Sequence, residues 1–312
     1  MSALSAKMSG FLDGLFYRGR EGHLSFLGHR LAGLGTLLFL TTHIVDTGWA
    51  YFWPAGYGHA IELYQSAPAM VGEILLVAAV LFHGVNGLKI IISDFFPSLW
   101  NKGPERGSFY KVATLTFVLW LPAAWLMLNS FLTHLACEPN CVEKSTADIA
   151  ARTNASLIAT PVIFIAVLAV LLVGAQIKEQ SLGSKRLVKV PARNFETIGW
   201  SFMRWSGVLL IPLVWGHVLL QDVLVGVHSI DLDYVALRWG MTLWQVYDIA
   251  LLAFGFAHGV NGLRAVAEDY IHHKTAIRVT KWILLIAWLG ITIYGGAAIV
   301  LSAAVQAAKA GL

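Results

Sequence analysis

Seven stretches of the chain are apolar enough and long enough to cross a bilayer, near 27–47, 69–93, 111–135, 156–177, 202–225, 243–266 and 280–304. A spanning helix needs about 20 residues at about 1.5 Å of rise each. Polar and charged residues gather in the connections between these runs, and Gly183 and Pro191 mark the connection 178–193 as partly non-helical. The pattern predicts an all-α integral membrane protein with seven transmembrane helices.

The polar residues inside the apolar runs recur at fixed intervals. Arg30-x-x-Gly33, His43, His83-Gly-Val-Asn-Gly87-Leu-Lys89 and Asp94 return as Arg204-x-x-Gly207, His217, His258-Gly-Val-Asn-Gly262-Leu-Arg264 and Asp269. Both copies step 13 residues from Arg to the first His, 40 or 41 to the second, and 11 more to the Asp. Each copy holds three helices, an odd number, yet both have Arg where a first helix begins and Asp where a second ends. The copies must therefore be parallel repeats joined by one extra crossing, and 156–177 matches no part of either copy. This gives an N-terminal segment 1–24, a first repeat 25–136, and a stretch 137–198 with an outer loop, the linker helix and a basic loop. A second repeat 199–306 and a tail 307–312 follow.

Composition agrees with a membrane protein: of 312 residues 57% are hydrophobic and 13% charged, with mean hydropathy +0.67. Lys and Arg fall almost entirely in the N-terminal segment and the loops near 89–111, 178–193 and 264–281. Only Lys144, Arg152, Arg238 and Lys309 lie on the other side. Cationic loops resist translocation, so the chain is expected to be a multi-pass protein of the cell membrane, N-terminus cytoplasmic and C-terminus outside. The net charge of +4 and pI near 9.0 are spread over those loops without an aromatic-basic groove, which favours anionic lipid or a cytoplasmic partner over nucleic acid. The N-terminal segment has no compact apolar core before a small-residue cleavage site, and is expected to lie along the inner surface. Cys137 and Cys141, in an outward loop, form either a small disulfide or two free thiols.

Polar side chains in hydrocarbon persist where something satisfies them. Four histidines at matched places in a duplicated helix pair point to paired ligands, because pseudo-two-fold symmetry brings like helices together. Two imidazoles could then hold one haem iron, to which neutral imidazole is suited. By depth, His43 and His217 would serve an outer haem and His83 and His258 an inner one. Gly87 and Gly262, one turn after the inner histidines, either admit a flat macrocycle or pack helices closely. Asp94 and Asp269 lie on the same stripe, roughly 16 Å further along. His23 and His29 are expected at the inner surface, His59, His134 and His228 at the outer, and His272 and His273 in a basic loop. Asp46, Glu73 and Asp222 near the outer ends form either a proton entry or solvated interface. A repeat-built transporter with the histidines as a proton relay is the rival of another class.

Gly28-His29-Arg30-Leu-Ala-Gly33 and His83-Gly-Val-Asn-Gly-Leu-Lys resemble the first cytochrome b anchor subunit of succinate:quinone oxidoreductases and fumarate reductases. Phe256-Ala-His258-Gly-Val-Asn-Gly-Leu-Arg with Asp269-Tyr270 is similar to the second. The resemblance covers both repeats and is that of two anchor subunits fused in one chain, of the dihaem type. It implies two haem b groups on His43, His83, His217 and His258, and a cytoplasmic site for menaquinone or ubiquinone formed by His29, Arg30, Asp269 and Tyr270. Arg30, Asp269 and Tyr270 would act on the quinone, and Lys89, Arg204 and Arg264 would neutralise haem propionates. It further implies flavoprotein and iron–sulfur partner subunits, and a trimer of complexes. Succinate:quinone oxidoreductase is the expected assignment. A quinol:fumarate reductase, or a dihaem cytochrome b serving another quinone-linked dehydrogenase, is the alternative. Two features depart from the family: Phe26 stands where it has serine, with Ser25 one position earlier, and the first repeat ends in Asp94-Phe95, which argues for one main quinone pocket.

Overall fold

Wherever the chain is described, each expected crossing becomes one long helix. The computed structural model describes residues 20–95, 105–137 and 194–310, together with 147, 148, 150, 151, 154 and 165. In order these form α1 (Glu21–Phe52), α2 (Pro54–Tyr64), α3 (Ala67–Phe95), α4 (Glu105–Cys137), α5 (Phe195–Val218), α6 (Leu232–Trp239), α7 (Thr242–Tyr270) and α8 (Lys274–Ala310). Six helices among the described residues are long and apolar enough to cross a membrane. The expected linker helix over 156–177, Cys141 and the segment 1–19 lie outside the described residues.

The helix ends follow local chemistry. Asn194 opens α5 with a reciprocal box, its Oδ1 accepting from Thr197 N at 2.9 Å while its own N–H donates to Thr197 Oγ1 at 3.0 Å. Asp231 caps α6 by accepting from Tyr234 N at 2.8 Å. Pro54 sits in the first turn of α2, where its missing N–H costs nothing. Pro212 lies inside α5, and two residues past His217 the helix widens into a π-helical segment, Leu219–Val225, ended by Gly226 at φ 83°. Sequence reasoning missed the two short helices, α2 and α6, because it read 48–68 and 226–242 only as outer connections.

In each repeat the first helix packs on the second and the second on the third: α1 on α3 and α3 on α4, then α5 on α7 and α7 on α8. Across the repeats α1 meets α7 and α3 meets α5, so four helices enclose a central seam, and α8 also packs along α1. Toward the end of the seam where α1 and α5 finish, Leu213, Leu220, Tyr234, Trp239, Trp244, Tyr247 and Ala298 form one buried cluster. The outward faces stay apolar, with Leu38, Trp125, Ile286 and Ile293 largely exposed. A helix hydrophobic all round suits lipid, which supplies the remaining apolar surroundings.

Candidate functional site

The two repeats meet through their histidines. His43 on α1 and His217 on α5 have ring centroids 6.1 Å apart with planes at 79°. His83 on α3 and His258 on α7 stand 6.3 Å apart at 86°. Two imidazoles on opposite faces of one metal, with bonds of about 2.0 Å and about 1.1 Å more to each ring centre, would sit about 6 Å apart, and both pairs match that spacing. Among the described residues no group of three or more His, Cys, Asp or Glu could enclose a metal ion. A two-imidazole centre therefore suits a metal that brings its own equatorial ligands, as haem iron does.

The inner rings have fixed tautomers. His83 Nδ1 lies 3.0 Å from the His29 carbonyl, which can only accept, so Nδ1 carries the proton. His258 Nδ1 lies 2.9 Å from Ser206 Oγ, whose own proton goes to the Phe202 carbonyl at 2.6 Å. On both rings Nε2 is left as the lone-pair nitrogen, the arrangement usual for metal-bound histidine. His217 Nδ1, by contrast, is buried with no hydrogen-bond partner.

The Arg-x-x-Gly glycine makes room for these rings. A Cβ on Gly33 would stand 2.7 Å from His83 Cε1, and one on Gly207 would stand 3.4 Å from His258 Cε1. Gly87 and Gly262 behave differently, since a Cβ there would meet only His29 Cε1 at 3.5 Å or Met203 Cε at 3.7 Å. At these two positions an added Cβ would make only ordinary van der Waals contacts.

At the end of the bundle where α1 and α5 begin, the charges are exchanged between the copies. Arg30 of the first repeat pairs with Asp269 of the second. Arg204 of the second pairs with Asp94 of the first, Nε and Nη2 donating to Oδ2 at 2.8 and 2.6 Å. Each guanidinium also lies over the aromatic ring four residues earlier, Arg30 over Phe26 at 4.2 Å and Arg204 over Trp200 at 4.5 Å. The two ends differ in access. Side-chain exposure is 51% for Asp269 and 18% for Asp94, and Tyr270 is exposed while Phe95 packs against Trp205. Among the described residues, the Arg30, Asp269 and Tyr270 end is the more open of the two.

His29 joins the two sites. Its ring stacks on His83 at 4.0 Å and 8°, and its carbonyl takes the His83 proton, while the next residue is Arg30. Ser25 is buried, donates to Asn86 Oδ1 at 2.7 Å and accepts from Lys89 Nζ at 2.9 Å, so its proton is already committed. The second copy repeats this with Asn261, whose Nδ2 donates to the Gly199 carbonyl at 3.3 Å and whose Oδ1 accepts from Arg264 Nε at 3.0 Å. Arg264 also pairs with Glu196 and Glu268. Of the three cations expected near propionates, Arg204 and Arg264 have carboxylate partners within the chain, and Lys89 is held by a hydroxyl.

The outer pair opens on a cavity of about 310 Å³ lined by His43, His217, Asp46, Glu73, Asp222 and Arg238, among others. Asp46 accepts from the Tyr64 hydroxyl. Burial first, and then Asp46, pushes Tyr64 well above the ordinary tyrosine range; burial and neighbouring carboxylates do the same for Tyr57, so both stay protonated donors. Sequence reasoning missed Arg238 and Asp248. The signal was present as Asp248 within the apolar run of α7, a charged residue that needs a partner in hydrocarbon.

The model of the succinate dehydrogenase/fumarate reductase transmembrane subunit family matches residues 15–123 and 176–299, a segment over each repeat. The chain belongs to that family. It is similar to the succinate dehydrogenase 2 membrane subunit SdhC of Mycobacterium tuberculosis (strain ATCC 25618 / H37Rv), at 33% identity over 109 residues, which is 34% of this chain and 77% of that protein. The two matched segments make this transmembrane subunit a fused or duplicated anchor. As the membrane subunit of a succinate dehydrogenase/fumarate reductase complex, it implies flavoprotein and iron–sulfur partners.

Proposed function

We propose that this anchor is the dihaem cytochrome b subunit of a succinate:quinone oxidoreductase, with His43 and His217 holding an outer haem b and His83 and His258 an inner one. The observation that carries the reading is the match of both imidazole pairs, at 6.1 and 6.3 Å, to two axial ligands on one metal. The outer cavity and the Nδ1 hydrogen bonds of the inner pair support it. When bound, the haems supply one-electron redox chemistry within the apolar bundle. Lys89, Arg204 and Arg264 remain the cations proposed to offset propionate charge, and Lys89 is the one of them without a carboxylate partner among the described residues.

Menaquinone or ubiquinone would bind beside His29, Arg30, Asp269 and Tyr270. Its reduction takes two electrons, delivered from the iron–sulfur subunit, and two protons. Arg30 and the Tyr270 hydroxyl would donate hydrogen bonds to the carbonyl oxygens, where negative charge grows as electrons arrive. Asp269, half in solvent, can take protons from water and pass them inward. Seven crossings, the seventh over 156–177, would put the N-terminus and this pocket on the cytoplasmic side and the C-terminus outside.

A pyridine haemochrome assay with a dithionite-reduced spectrum tests the cofactor count. Two b haems per chain are expected, and one or none would remove the dihaem reading. A second result is expected from the glycines beside the inner rings. Gly33→Ala should disturb the ligand-field spectrum of the inner haem in electron paramagnetic resonance much more than Gly207→Ala, because only its Cβ falls inside the contact distance of an imidazole. Equal spectra for the two variants would count against this placement of the rings.

A further inference from the structure

Arg238 carries a charge where sequence reasoning saw only an outer loop. It projects from α6, a helix that packs on α7 and α8 beyond the outer ends of the crossings. Its side chain is 3% exposed. Nε and Nη2 donate to Asp248 Oδ2 and Oδ1 at 2.8 and 2.5 Å, and the guanidinium lies 4.0 Å over the Trp244 ring. Trp239 Nε1 adds a third hydrogen bond to Asp248 at 3.2 Å. Burial opposes the charge, but Asp248 outweighs it, so the guanidinium stays cationic.

One part of this arrangement is incomplete. Arg238 Nη1 is buried and has no hydrogen-bond partner, although a buried guanidinium N–H left unpaired is costly. Arg238 lines the same cavity as His43 and His217. Of the polar groups lining that cavity, Tyr64 is engaged with Asp46 and Tyr234 with Gln221 at 2.7 Å, while Glu73 Oε2 and His217 Nδ1 are, like Arg238 Nη1, buried without a partner. The Tyr234 hydroxyl stands beside Arg238 but leaves Nη1 without a hydrogen bond, and an occupant of the cavity would supply that acceptor. A haem on the imidazole pair has two carboxylates as its charged substituents, and they favour the wetter, outer end of an apolar bundle, where α6 lies. Arginine is suited to a carboxylate acceptor.

We propose that Arg238 binds a propionate carboxylate of the outer haem through Nη1, while Asp248 positions the guanidinium from the opposite side. The assignment rests on the outer haem of the proposed function. With a cation against its propionate, the outer haem is easier to reduce, and the chain tunes it from an element that neither repeat motif contains.

The test uses the whole complex, with redox titration of the haems and resonance Raman of the propionate bending band. Arg238→Gln is expected to keep two haems per chain and to lower the reduction equilibrium of one by about tenfold, which is about 59 mV for one electron. Its propionate band moves, and the other haem is unchanged. Asp248→Asn removes a negative charge and is expected to move the same haem the opposite way, whereas a purely structural role would give both variants the same direction. If Arg238→Gln sheds the outer haem, Arg238→Lys, which keeps a charged donor, is expected to retain it, and loss there too overturns the proposal. An unshifted potential, or a shifted potential with an unmoved propionate band, also overturns it. A wild-type complex with a single haem sinks the dihaem reading itself and is seen before any variant is made.

Discussion

His83→Ala and His258→Ala are each expected to reduce the haem content from two to one, and to remove the same spectral and redox component. The two rings stand 6.3 Å apart from opposite repeats, so either deletion would remove one of the two side chains proposed to hold the same haem. The hydrogen bonds from Nδ1 to the His29 carbonyl and Ser206 Oγ hold each ring in position in advance. Ser206→Ala should therefore weaken inner haem retention by about 10-fold or more, the usual cost of losing a partner behind a metal ligand. His43→Ala and His217→Ala are expected to remove the other component instead. In His83→Gly, added imidazole should restore the lost band. If the two inner variants lost different components, the pairing across the repeats would be wrong.

The second large effect concerns Arg30 and Asp269. In Arg30→Met, succinate-driven quinone reduction is expected to fall about 100-fold, comparable to the removal of one donor from a site of developing negative charge. Asp269→Asn removes the ionisable relay and is expected to lose about as much, within the range found for general acid–base groups. Electron transfer from succinate to a soluble artificial acceptor should be unchanged in both, because that reaction ends on the partner subunits. Quinone reduction near the wild-type rate in both variants would refute the placement of quinone at this end of the bundle. The exposure difference between Asp269 and Asp94 gives the reason that this end, and not its symmetry mate, is expected to respond.

The parts of this design that repeat were legible in the sequence. Four histidines at matched intervals, read with helix geometry, gave the inner and outer pairs, because helical depth and duplication together leave little freedom in which rings can meet. Contacts set by side-chain packing between helices were not legible. Nothing in the spacing of Arg30 and Asp94 tells that each pairs with the other copy. Nor does it tell that Gly33, more than Gly87, is the glycine against which an imidazole rests. The outer cap was missed for another reason: α2 and α6 are 11 and 8 residues long, too short for periodicity to separate them from loop. Asp248 was the clue there, since one carboxylate in an apolar helix demands a cation and Arg238 is ten residues away.

The exchanged ion pairs also bear on ancestry. In a two-fold homodimer, residues on the axis touch their own copies, while residues off it contact each other reciprocally. His43 with His217 and His83 with His258 follow the first rule, and Arg30 with Asp269 and Arg204 with Asp94 follow the second. A homodimer of one three-helix protein would satisfy all of these contacts at once. Such a dimer must duplicate every change it acquires, so a pocket opened on one side opens on the other. Fusion lifts that constraint: it permits Phe95 packed on Trp205 at one end and an exposed Tyr270 at the other, and Arg238 to arise on one side alone.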